Sequence, residues 1–316
     1  MEASELALFR SGIDHATETC SGEALDAALD ELGWRDALVA DRSTAVSVLF
    51  EALGSSVVDS SALDWLLAAA LGEKDAVRTS VVLPLLRRTA PPGRVRAGRC
   101  EVYGLGTGAV AQADASIVVA EADGGPVAYT VNASSLELRQ VRGLDPALGI
   151  VEVTGDLDAA AGRPVDWEGA ASIGQLAVGH ELVGLARAML ELARQHALDR
   201  VQFGRPISSF QAIRHRLAES LVAVEAADGL LAAAWDDPSP VMAAMAKGMA
   251  GRSARAVARH AQQVLAGIGF TTEHPLHRYV RRTIVLDQLL GASSVLTRRL
   301  GDDVLERGAL PPALPL

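Results

Sequence analysis

The stretch Asp199-Arg-Val-Gln-Phe-Gly-Arg-Pro-Ile-Ser-Ser-Phe-Gln-Ala-Ile-Arg-His-Arg-Leu217 joins two long segments rich in Ala and Leu. Gly204 and Pro206 break the helical pattern between them, and Ser208 or Ser209 offers an N-cap for the second helix. Arg200 closes the first helix, where the C-terminal dipole favours a cation. Working outward, Gly, Pro and polar breaks separate helices near Ile173–His196, Phe210–Trp235, Pro240–Ala266 and Val280–Leu300. Long apolar stripes on all four predict an antiparallel four-helix bundle over residues 165–316.

Upstream, residues 1–89 read as an N-terminal helical domain. Segments around Ala24–Leu32, Thr44–Leu53 and Ser61–Ala70 lie between the turn signals Gly22, Gly54 and Gly72. Asp59, Asp64, Glu73 and Asp75 are dispersed there and read as solvated surface carboxylates. The texture changes at Ala90-Pro-Pro-Gly-Arg. Short apolar runs then alternate with turns: Cys100–Tyr103, Ala115–Ala120, Pro126–Val131, Leu136–Val141 and Ile150–Val153. Asp123-Gly124-Gly125 supplies a hairpin turn, and a reduced antiparallel β domain over 90–164 is expected. Gly104-Leu-Gly-Thr-Gly has no following Lys-Ser/Thr and no βαβ context, so it is not a phosphate loop. The fold class is mainly α with a small β domain.

With 316 residues and 49% hydrophobic content, the chain can bury a large core. A formal net charge of −10 argues against nucleic acid or an anionic membrane as partner. No window holds eighteen uninterrupted apolar residues, and the acids of Met1-Glu-Ala-Ser-Glu are unlike a signal peptide, so a cytoplasmic protein is expected. Cys20 and Cys100 lack the spacing of a zinc site or redox pair and read as reduced structural thiols.

A second motif completes the reading. Gln262-Gln-Val-Leu-Ala-Gly-Ile-Gly-Phe270 ends the third helix of the bundle in a double-glycine turn, with Gly267 and Gly269 as left-handed C-cap residues. This string and Arg200-x-Gln-Phe-Gly-Arg-Pro-Ile, followed by Phe210-Gln-Ala-Ile-x-His-x-Leu-Ala-Glu, together resemble the flavin-side signature of the acyl-CoA dehydrogenase family. The family's layout of helical domain, β domain and four-helix bundle also resembles the texture of this chain. The resemblance implies that Arg200 pairs with the pyrophosphate of FAD and that Gln202 and Phe203 lie beside it. It further implies that Gln211, Gln263 and Gly267 hold the adenosine part, the FAD being seated in a neighbouring subunit. A guanidinium is a permanent two-pronged donor suited to phosphate oxygens.

The family's reaction needs a carboxylate to take the α-proton of an acyl-CoA. Counting from Arg281, the commonest base position holds Leu290; counting back from Arg200, the alternative position holds Gly174. Neither has proton chemistry. Glu168, Glu181 and Asp287 remain as relocated bases. The flavin-gripping strings of the family's β domain are also replaced, by Val82-Leu-Pro-Leu-Leu-Arg-Arg and Tyr103-Gly-Leu-Gly-Thr-Gly. Three functions are open to such a chain. It is a non-catalytic subunit of a heteromeric acyl-CoA dehydrogenase, a kind of assembly the resemblance associates with actinobacterial steroid side-chain catabolism; or a stand-alone homo-oligomeric dehydrogenase with a relocated base; or a non-enzymatic acyl-CoA- or protein-binding homologue.

Overall fold

A computed structural model describes residues 3–73, 78–143, 145–237 and 239–308; Asp75 lies outside the described residues. The chain begins with helices α1 (Ala3–Thr19), α2 (Glu23–Glu31), α3 (Trp34–Ala40), α4 (Arg42–Ser56) and α5 (Ala62–Ala70). Helices α1 and α3 escape the sequence pattern. α1 buries only a thin stripe, including Ile13 and Ala16, and α3 is seven residues long. Trp34 nonetheless anchors α3, since its buried indole donates to the carbonyl of Ala45 at 2.9 Å. Asp41 caps α4, accepting from the amide of Thr44.

Gly54 is not a turn. It lies buried inside α4, where an added Cβ would sit 2.1 Å from the carbonyl oxygen of Glu181. Glu181 belongs to α6 (Trp167–Asp199), and α6 returns the arrangement: a Cβ on its Gly184 would sit 2.1 Å from the carbonyl oxygen of Glu51. Each helix presents a glycine to the other's backbone, and the two cross closer than any side chain would permit.

The sheet comprises β1 (Thr79–Val81), β2 (Gly93–Arg96), β3 (Arg99–Gly106), β4 (Ala115–Ala122), β5 (Gly125–Asn132), β6 (Glu137–Gln140), β7 (Val151–Asp158) and β8 (Arg163–Pro164). Its order is β6-β7-β3-β2-β4-β5-β8, with β1 also on β4. The sheet is antiparallel-rich but not wholly antiparallel. β1 and β2 lie end to end along one edge of β4 and both run parallel to it, because the chain passes from one to the other without reversing. Ala122 pairs with Gly125, which leaves Asp123-Gly124 as the hairpin turn. Along β4, Ile117 and Val119 join the main core shared with the helices, whereas Val118 and Ala120 join a second small core with Cys100 and Tyr129. Burial pushes the Cys100 thiol up to about 11, and both cysteines are free.

After α6 come the short strands β9 (Val201–Gln202) and β10 (Arg205–Pro206), then α7 (Gln211–Asp236), α8 (Pro240–Leu265), α9 (Leu276–Gln288) and α10 (Ser293–Arg307). α6 is the central member, packing against α4, α5, α7, α8 and α9. The last helix expected from sequence is two helices. Leu290 (φ 53°) and Gly291 (φ 101°) turn the chain through the left-handed region between α9 and α10. The break is held from both sides: Asp287 accepts from the amide of Ser293 at 3.1 Å, and the buried Lys247 donates to the carbonyls of Asp287 and Gly291. Among the described residues no helix is long and apolar enough to cross a membrane.

Candidate cofactor-binding face and base position

The Asp199–Leu217 stretch forms a two-residue hairpin outside the bundle. Phe203 (φ 54°) and Gly204 (φ 77°) carry the positive φ pair that matches the twist of β9 and β10. The ring of Phe203 is 92% exposed, 6.1 Å from Phe210 in an edge-on pair, and Arg205 lies 4.4 Å over the Phe210 ring. Arg200 follows the last turn of α6, its amide donating to His196 and its carbonyl accepting from Ile207. Gln211 opens α7, and Gln263 lies in the last turn of α8.

The two sequence motifs meet at this end of the bundle. His274, just past the glycine turn, is depressed by burial and then by the nearby His196 and His277. Among the described residues, the side chains of Arg200, Gln211 and Gln263 make no hydrogen bond or ion pair within the chain, while Gln202 donates to the carbonyl of Val201. Gly267 is not a left-handed cap. The positive φ belongs to Ala266 (53°), and a Cβ on Gly267 would meet nothing of its own chain within 4 Å. The open space beside Gly267, the unengaged amides, the unengaged guanidinium and the exposed Phe203 and Phe270 fit a dinucleotide approaching from outside.

The two family base positions converge. A Cβ on Gly174 would lie 2.7 Å from Leu290 Cδ1 and 2.9 Å from Leu67 Cδ2. Leu290 is 1% exposed and fills the space that the missing side chain of Gly174 leaves. Gln175 fixes the same residue from below, donating to the Leu290 carbonyl at 2.9 Å. No proton acceptor stands where either family position would put one.

Of the relocated candidates, Asp287 is fully buried and structural: its oxygens accept from Ser293, Arg255 and Gln288. Glu168 is exposed in the first turn of α6, bordering a cavity of about 480 Å³ with Trp167, Gln175 and Arg299. Glu181 is different. It lines a cavity of about 220 Å³, and burial pushes its carboxyl up to about 7 against the lowering effect of Arg282. Arg282 is itself buried, 2.8 Å from Asp59, 2.5 Å from Asp145 and 3.6 Å from Glu181. Asp59 is therefore not a solvated surface group, and neither is Asp64, which accepts from Val81 N and Thr107 Oγ1 and is pushed up to about 6 by burial. No sequence signal marks these pairings, because Arg282 stands more than a hundred residues from every one of its acids.

Glu51, His180 and Asp228 also cluster with ligand-like spacing. Arg187 bonds both carboxylates at 2.6 and 2.7 Å, and both ring nitrogens of His180 are hydrogen-bonded, Nε2 accepting from Trp235 at 3.1 Å, so the guanidinium already supplies the cation of this cluster.

Comparison with known proteins matches residues 168–305 to the C-terminal domain of acyl-CoA dehydrogenase. Acyl-CoA dehydrogenase IpdE2 of Mycobacterium tuberculosis is 38% identical over 138 residues, covering 44% of this chain and 43% of that protein. The match thus spans less than half the length of this curated relative. The solved structure of a steroid acyl-CoA dehydrogenase, Tcur3481-Tcur3483 in its G363A variant, superposes with a TM-score of 0.82 at 22% identity, over 97% of this chain and 99% of that one. The ChsE4-ChsE5 complex from Mycobacterium tuberculosis gives 0.76 at 23% identity over 99% of both chains. Residues 168–305 thus carry the C-terminal domain of acyl-CoA dehydrogenase, and the chain has the fold of those enzymes.

Proposed function

We propose that this chain is the non-catalytic subunit of a heteromeric acyl-CoA dehydrogenase, completing the FAD site of a catalytic partner that oxidises acyl-CoA to 2,3-enoyl-CoA. The observation that carries this reading is the plug of Leu290 against Gly174, set beside an outer face on which, among the described residues, the side chains of Arg200, Gln211 and Gln263 have no partner in their own chain. Members of the family bind FAD, which supplies hydride acceptance when bound. The residues of this chain bind and orient: Arg200 the pyrophosphate, Gln211 and Gln263 the adenosine, with Gly267 permitting close backbone approach and Phe203 excluding water. The fold shared with a steroid acyl-CoA dehydrogenase and with the ChsE4-ChsE5 complex supports an assembly of this kind.

The test is co-expression with a full-length acyl-CoA dehydrogenase. The isolated chain is expected to be colourless and to reduce no electron acceptor with any acyl-CoA, whereas the complex is yellow and active. Arg200→Ala removes a charge-assisted pair costing about 2–4 kcal/mol, or about 30- to 700-fold in FAD affinity. Flavin absorbance per complex should fall accordingly while the melting temperature of the chain holds. A second reading has one observation in its favour, the raised carboxyl of Glu181 beside a cavity, which suits a general base. Turnover by the chain alone that vanishes in Glu181→Gln would establish that reading and end the first.

A further inference from the structure

A shallow groove of about 600 Å³ runs between α7, α8 and α10, lined by Arg252, Arg255, Arg259, Ser253, Ser293 and Ser294 among others. The three arginines follow one another at i, i+3 and i+7 on α8, which puts them on one helix face over about 10 Å. Arg255 is tied to Asp287 at 3.2 Å. Arg252 and Arg259 are exposed and, among the described residues, have no acidic partner, although acidic residues outnumber basic ones by 39 to 29 in this chain.

The groove has a floor as well as a rim. Ser253 and Ser293 are 5% and 3% exposed, and neither hydroxyl has a hydrogen-bond partner among the described residues. Hydroxyls that open on the groove and have no partner in their own chain are available to donate to an anion seated there. The glycines of α8 create the closeness: a Cβ on Gly251 would lie 2.2 Å from Asp287 Oδ1 and 3.1 Å from Ser293 Cβ, so the first turn of α10 presses onto the arginine helix. The charges facing the groove are Arg252, Arg255 and Arg259, with Asp287 and the buried Lys247 beneath them. The balance is positive, with the positive end of the α10 dipole adding to it.

We propose that this groove binds the pyrophosphate of a nucleotide, the guanidiniums taking the phosphate oxygens and Ser253 and Ser293 donating from below. Planar guanidiniums in a row match a chain of phosphates better than they match a single carboxylate. The proposal stands apart from the partner-flavin face, although Arg259 lies one helical turn before Gln263 and a long ligand would meet both.

The probe is inorganic pyrophosphate, titrated calorimetrically into the full chain in the assembly it forms on purification. A single site with a Kd on the order of 0.1–1 mM at low salt is expected, weakening as salt rises. The double variant Arg252→Gln/Arg259→Gln should weaken binding at least about tenfold, and Ser253→Ala about threefold or more, with the melting temperature held because the two arginines are exposed. Arg200→Ala should leave pyrophosphate binding within about twofold of the parent. Comparing ADP with its 3′-phosphorylated form separates two sources of the same chemistry: a tighter fit for the extra phosphate identifies a coenzyme A-type ligand, equal affinity a dinucleotide. Absence of binding at about 10 mM, binding indifferent to the double variant, or equal loss in Arg200→Ala would overturn the proposal.

Discussion

Leu290 and Glu181 sit on opposite sides of one question, where a carboxylate can ionise in this protein. At Leu290 there is none, and the residue's left-handed backbone points the chain into α10. At Glu181 there is one in a place that resists its charge. Its carboxyl is pushed up from 4.5 to about 7, mainly by burial, with Asp59 adding to the rise and Arg282 opposing it. The native state therefore keeps a proton that the unfolded chain has lost across this interval. The contribution of Glu181 to stability is fully present below pH 4.5 and is lost as pH rises through 7, to a total of about 3 kcal/mol. Glu181→Gln should melt several degrees above the parent at pH 8 and together with it at pH 4.5. Parallel melting curves of parent and variant across that range would refute the assignment. None of this was legible in the sequence, since Glu181 reads as one acid on a helix until Arg282, Asp59 and Asp145 are folded around it.

Helices expose what a local pattern can and cannot report. Hydrophobic spacing places α7 and α8 within a residue of their true bounds, because long helices repeat the signal over several turns, but it starts α6 at Ile173, six residues after its true start at Trp167. It runs α9 and α10 together, because the left-handed break at Leu290 is stabilised by Lys247, forty residues earlier, and not by a local breaker. It reads Gly54 as a turn because a glycine between apolar residues looks the same whether the chain bends there or another helix crosses. The crossing reading carries its own expectation. Gly54→Ala forces a methyl against the Glu181 carbonyl, which cannot move without moving α6, and should cost about 3 kcal/mol in chemical denaturation. The same substitution at Gly33, left-handed at φ 70° and ψ 30° and with nothing nearer to an added Cβ than Asp36 Oδ2 at 3.9 Å, should cost only about 1 kcal/mol. Equal midpoints for Gly54→Ala and the parent would rule out the close crossing.

At the scale of the molecule, the two motifs at the outer end of the bundle stand out in the sequence, and their aromatic side chains face outward. Side chains that face outward are not set by packing within their own chain, so such a string is not produced by the Ala, Leu and Val spacing that builds an amphipathic helix. Phe203 and Phe270 are 92% and 72% exposed on that face. Phe203→Ser should leave the stability of the chain within about 0.5 kcal/mol of the parent while weakening assembly with the flavin-bearing partner, read by size-exclusion chromatography of the mixture. A stable complex of unchanged affinity would show that this face is not part of the assembly.

The glycine crossing of α4 and α6 sets where the chain can be cut. The family match begins at residue 168, but the helix that starts there leans its backbone on α4, shares the Arg187–Glu51 bond with it and is bound through Arg282 to Asp59. A fragment trimmed to the matched residues would lose the surface against which its longest helix is shaped, taking Glu51 from Arg187 and leaving Arg282 only Glu181 of its three acids. The stretch that matches the family's domain is shorter than the stretch whose contacts hold its longest helix in place.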